Sequence, residues 1–325
     1  MWDDIIGHKD AIAMLQTMLA AEQIPHALLF SGPQGVGKRM VAQVVAAELL
    51  KMPIAKSLDY MPVSPEGASI KIHQIRNLQH QVLLPPQAGK WRVCIITEAE
   101  RMTEQAANSL LKLLEEPPLY LVFILVAATA VPLLPTIVSR CRVFRFQSLP
   151  RDLLAQALVA WGCEMGKADL AARLSEGRLG RALAIAQPGG LVLRDQALAV
   201  VASLPTAGMG TVWDTAGALD KLEEPEFTEW RRLLTTIFRD LLVIRVSAGL
   251  RHLLFNCDQA EQLQTMALRW DEDRLQAALT ANVSAERALL ANANRRLTYE
   301  ALLIQLRDLA RGEKHANENC SRHPF

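Results

Sequence analysis

Residues 32–39 read Gly32-Pro33-Gln34-Gly35-Val36-Gly37-Lys38-Arg39, the G-x-x-x-x-G-K spacing of a phosphate-cradling loop. Successive backbone N–H groups in such a loop converge on phosphate oxygens, and the helix that follows adds its positive end. Gly32, Gly35 and Gly37 let the backbone approach a phosphate closely, and Lys38 would reach the terminal phosphates. The next position breaks the pattern. A serine or threonine hydroxyl there ligates Mg²⁺, whereas Arg39 carries no acceptor and its charge repels a metal.

Two more devices are weakened. The run Ile95-Ile96-Thr97-Glu98-Ala99-Glu100 has threonine where an acidic pair would begin, and of that pair Glu98 remains. The run Val126-Ala127-Ala128 ends without the polar side chain that would sense a γ-phosphate, and Thr129 comes one step later. One such loss is compatible with drift. Three together favour a fold that kept its shape and lost its chemistry.

The elements that must position these residues are legible in the hydrophobic pattern. Residues 8–22 have helical periodicity, 27–30 form a short apolar strand entering the glycine turn, and 39–50 are helical again. Residues 52–67 hold three prolines and read as a surface excursion. Then come a helix over 70–81, a strand over 92–96, a helix over 104–114, and strands over 121–126 and 143–146. Strands alternating with helices imply a mostly parallel sheet covered on both faces. After Pro150 the strand signal stops. Residues 151–187 read as short helices, Pro188-Gly189-Gly190 is a breaker, and helices are expected over 227–249, 257–269, 271–291 and 298–311.

Bulk properties narrow the class. A chain of 325 residues, half of them apolar, suits two or three domains with real cores. The 35 basic and 34 acidic residues nearly cancel, so no global field draws the chain onto nucleic acid. Five scattered cysteines give neither a disulfide framework nor metal-ligand spacing, which fits a reducing cytoplasm. No signal peptide is expected from the first residues. Residues 121–138 are apolar but interrupted by prolines, and a buried parallel strand is preferred to a membrane span.

A resemblance rests on three groups of residues. Residues 106–118, Ala-Ala-Asn-Ser-Leu-Leu-Lys-Leu-Leu-Glu-Glu-Pro-Pro, with Pro135-Thr136-Ile137-Val138-Ser139-Arg140-Cys141, resemble the AAA+ core of bacterial clamp-loader subunits. Residues 24–30 before the loop and 69–76 before the second strand are similar to the delta-prime branch of that DNA polymerase III family. Residues 288–303 resemble its collar helices. The likeness covers nearly the whole chain.

The resemblance implies an AAA+ P-loop parallel-sheet core (residues 1–149), a small helical lid (150–205), an all-α collar for oligomerisation (206–312) and a disordered tail (313–325). It implies a cytoplasmic, non-hydrolytic subunit of a DNA-directed DNA polymerase holoenzyme. The partners it implies are gamma/tau and delta subunits and, through the complex, a sliding clamp and primed DNA; no membrane is involved. Arg140 occupies the position of an arginine finger acting on a neighbour's ATP; the other reading is a structural ion pair at a strand entrance. Arg181 matches a lid arginine that either touches phosphate or solvates a helix face. Gly32, Gly35, Gly37, Lys38, Arg39, Glu98 and Arg181 then form a degenerate nucleotide site, holding ATP or ADP weakly without Mg²⁺ or not at all. Family members carry a four-cysteine zinc module before the second strand. Residues 51–71 contain no cysteine and His73 stands alone, so no zinc is expected. Two other readings stay open. One is an ATP-hydrolysing gamma/tau-like subunit, supported by Lys38, Glu98 and Arg181. The other is an unrelated P-loop kinase or transferase, which leaves the Ser139-Arg140-Cys141 segment unexplained.

Overall fold

The computed structural model describes residues 1–129 and 133–312. The tail expected over 313–325 lies outside the described residues. The chain divides into two units, Met1–Ala186 and the remainder from Gln187.

The first unit is built on a five-stranded, all-parallel sheet. In chain order its elements are α1 (Lys9–Ala20), β1 (Ala27–Ser31), α2 (Lys38–Leu50), β2 (Tyr60–Val63), α3 (Ile72–Val82), β3 (Arg92–Thr97), α4 (Glu104–Glu115), β4 (Leu121–Ala127), α5 (Pro135–Val138), β5 (Arg142–Arg145), α6 (Arg151–Ala160), α7 (Met165–Leu174) and α8 (Leu179–Ala186). The strand order is β2-β3-β4-β1-β5. Every residue of β4 is buried, as a central parallel strand requires. The apolar stretch that contains it therefore belongs to a sheet core, and among the described residues no helix is long and apolar enough to cross a membrane.

One strand was not expected. β2 lies inside the proline-rich stretch read as an excursion. It pairs with β3 through Met61 and Val63, which are buried, while Pro62 between them is exposed. A proline lacks the ladder N–H and is tolerated on a sheet edge, where β2 sits. A buried ion pair ties the approach to this strand. Asp59 accepts from Arg92 Nε at 3.1 Å and from the backbone N–H groups of Gln87 (2.9 and 3.0 Å) and Ala88 (2.8 Å). Arg92 also donates to the Gln81 carbonyl.

Because all strands run the same way, the sheet has two distinct edges. Gly32, Glu98 and Ala128 leave its C-terminal edge, whereas Tyr120 and Cys141 enter at the other, each one residue before the pairs that align Arg92 with Leu121 and Leu28 with Arg142. Strands of this length separate those edges by roughly 15 Å.

Among its described residues the second unit contains only helices and their connections: α9 (Val192–Ser203), α10 (Met209–Asp220), α11 (Glu224–Val246), α12 (Ala260–Ala267), α13 (Glu272–Leu290) and α14 (Arg295–Arg311). α11 is buried along more than one side, with Phe227, Trp230, Leu234, Phe238 and Leu241 in the core. Trp230 and Phe227 pack edge-on against Tyr299 at 5.6 and 4.9 Å. The stretch read as lid, 150–205, spans the division between units. Ala197, Leu198 and Val201 of α9 join the core of the second unit, while α6 to α8 stay with the first.

Candidate functional site

The phosphate loop sits where the sequence put it, between β1 and α2. Its first glycine is fixed by close approach: a Cβ on Gly32 would lie 2.0 Å from the Phe146 carbonyl oxygen. Gly37 has φ +106, in the left-handed region that favours glycine. Gly35 accepts from the Gly180 N–H at 3.0 Å, so the loop is stitched to the start of α8. The His8 ring, 4.8 Å from Phe146, donates from Nε2 to the Val36 carbonyl at 2.9 Å. Burial lowers the pKa of His8, which favours its neutral form.

Lys38 does not point outward. It is buried, and its Nζ donates to the carbonyls of Gly32 at 2.5 Å and Pro33 at 2.6 Å. Burial lowers its pKa to about 8, against the pull of Glu100. A cleft of about 680 Å³ opens beside it, lined among others by Gly35, Gly37, Arg39, Thr97, Glu98 and Leu179.

The acidic residues are arranged differently from the expectation. Glu98 lines the cleft but its carboxylate accepts from Arg101 at 2.8 Å, and Thr97 donates its hydroxyl to the Val63 carbonyl at 3.3 Å. The acid whose charge reaches Lys38 is Glu100, which had no assigned role. Its Oε1 accepts from the Ala128 N–H at 3.1 Å, joining the ends of β3 and β4. Its Oε2 is buried with no hydrogen-bond partner among the described residues. A single-turn helix, Ala99–Arg101, follows β3 and turns Glu100 back towards the loop.

Arg181, on α8, is nearly buried and ion-paired with Glu176 at 2.6 Å. The α8 residues that face the cleft are Leu179, Gly180 and Leu183. Arg140 is held elsewhere. It follows α5, where Nη2 donates to Glu115 at 2.7 Å and Nη1 to the Thr136 carbonyl at 3.0 Å. Glu115 ends α4, which runs back from the C-terminal edge of the sheet. The Arg140–Glu115 pair thus lies at the edge opposite the phosphate loop. Cys141 beside it is partly buried, and burial pushes its thiol up to about 12, so it stays protonated.

Comparison with protein families decides the class. Residues 7–150 match the model described as "DNA polymerase III, delta subunit", and residues 200–308 match "DNA polymerase III, delta subunit, C terminal". Together these cover well over half of the chain. The chain belongs to the clamp-loader subunits of DNA polymerase III. The gamma/tau subunit of Mycobacterium tuberculosis is 32% identical over 179 residues, 50% of this chain and 31% of that protein. The tau subunit of Bacillus subtilis is 26% identical over 302 residues, 78% of this chain and 52% of that protein. The chain thus spans about a third of the first curated relatives it matches. A solved gamma subunit-related protein from Thermotoga maritima aligns over 91% of this chain and 99% of its own, with 23% identity and a TM-score of 0.49.

In this clamp-loader subunit the positions that would supply donors to a nucleotide-bound Mg²⁺ are altered or engaged by neighbours. Arg39 stands in the hydroxyl position, Thr97 serves a backbone carbonyl, and Glu98 serves Arg101. A phosphate could still meet the loop amides and Lys38, provided that Lys38 exchanged its carbonyl partners for phosphate oxygens. His73, the lone candidate near the expected zinc position, pairs with Glu66 at 3.0 Å.

Proposed function

We propose that this chain is the delta-prime-type member of a DNA polymerase III clamp loader. It does not hydrolyse ATP itself but presents Arg140 to the nucleotide site of a neighbouring subunit. The observation that carries the reading is the position of Arg140 at the sheet edge opposite its own phosphate loop. A guanidinium there is out of reach of any phosphate bound by Gly32 to Lys38 and is free to serve a site in another chain. Delivered in trans, it would neutralise charge developing on a γ-phosphoryl group. The partners proposed are gamma/tau and delta subunits, and through the complex a sliding clamp and primed DNA, in the cytoplasm.

A loader reconstituted with Arg140→Ala tests this. Its ATPase should fall on the order of 10³-fold at the affected site. Full activity would remove the finger assignment.

The second reading, an ATP-hydrolysing gamma/tau-like subunit, is favoured by the retained Lys38 and the open cleft beside it. It requires Mg²⁺-dependent turnover by the purified chain that is lost in Lys38→Ala. The dismantled Mg²⁺ donor set argues against that outcome.

A further inference from the structure

We propose that Glu115 is the positioning residue for Arg140, fixing the direction in which the guanidinium leaves this subunit. The proposal rests on the finger reading above and adds a residue to it. The two side chains belong to segments whose backbones are locked from beneath. Leu113 and Leu114, which precede Glu115, are buried, and the Arg140 N–H donates to the carbonyl of fully buried Ile137 at 3.1 Å. The guanidinium bridges the end of α4 and the start of α5 through its two terminal nitrogens. Two fixed acceptors on different elements determine the plane of the group. Of the five donors of an arginine, those not used by Glu115 and Thr136 remain for a ligand.

The pair is poorly explained as a stabiliser. The side chains of Arg140 and Glu115 are 35% and 49% exposed, and ion pairs in that setting contribute little to folding. Holding a long side chain in one orientation matters instead when it must meet a distant phosphate, because ordering a free arginine costs part of each productive encounter.

The test uses the full loader, assembled from its subunits with either wild-type or substituted chain, and clamp- and primed-DNA-stimulated ATPase as the readout. Glu115→Ala should lower kcat about two- to tenfold, as expected for re-ordering one side chain, with KM for ATP unchanged. Glu115→Gln keeps a carbonyl acceptor and should restore most of the rate. In an Arg140→Ala background, Glu115→Ala should have no further effect. Native mass measurement checks that each variant enters the complex. If Glu115→Ala leaves kcat unchanged or raises it while Arg140→Ala abolishes it, the positioning role is wrong and the finger stands. If Arg140→Ala has no effect, both fail together.

Discussion

The ammonium of Lys38 lies 2.5 Å from the carbonyl oxygen of Gly32, the residue that opens the same loop. The group that would meet a nucleotide is therefore satisfied by the loop itself. Any phosphate must compete with Gly32 and Pro33 for it, so weak binding is the expected outcome. Calorimetric titration of the isolated chain with ATP should show little or no heat, and adding Mg²⁺ should not tighten it. Arg39→Thr alone should not create turnover, since Thr97 and Glu98 remain committed elsewhere.

The same burial gives a pH signature. The native pKa of Lys38, about 8, lies below its ordinary value near 10.5. Between those values the folded chain releases a proton that the unfolded chain keeps, so folding gains stability as pH rises through that window. Relative to Lys38→Met, the wild type should gain in denaturant midpoint from pH 8 to pH 10. A constant difference would show that Lys38 titrates normally.

Asp59 and Arg92 make the opposite kind of pair. Burial raises the carboxyl's pKa, but the N–H groups of Gln87 and Ala88 and the Arg92 guanidinium outweigh it and hold it below the usual range. Its contribution is present above the ordinary carboxylate pKa and is lost as pH falls through the lower native value. Asp59→Ala leaves the buried Arg92 guanidinium without its carboxylate and removes the acceptor of the Gln87 and Ala88 amides. The loss should be about 3–5 kcal/mol, measurable by urea unfolding.

Leu119 is 97% exposed in the turn before β4, at the sheet edge that carries Arg140. On the proposed reading, an apolar side chain so placed would be buried by the subunit that receives Arg140. Leu119→Ser should leave the unfolding midpoint of the isolated chain within about 0.5 kcal/mol, as surface changes do. It should weaken assembly about tenfold by native mass titration, the loss expected for one leucine contact.

Much of this was legible in the sequence. The glycine loop, four of the five strands and the helical C-terminal unit follow from periodicity and turn residues, because each depends on neighbours close along the chain. β2 was hidden because Pro62 looks like a breaker, and only the edge position of the strand makes it harmless. Glu100 was missed for a related reason. Its proximity to Lys38 arises from the single-turn helix after β3 and the pairing of β3 with β4, neither of which leaves a pattern in residues 98–100. Arg181 matched a motif, yet its partner Glu176 lies five residues upstream in a left-handed turn that the motif does not encode.

Pro62 has a consequence for the chain before it finds its neighbours. A strand on the rim of a sheet is a template for intermolecular pairing, and a subunit awaiting assembly is exposed to copies of itself. β2 is only four residues long and has a missing donor at its third position, so it offers too few contacts to seed a growing fibril. The residue that disguised the strand also protects the unassembled subunit from aggregation.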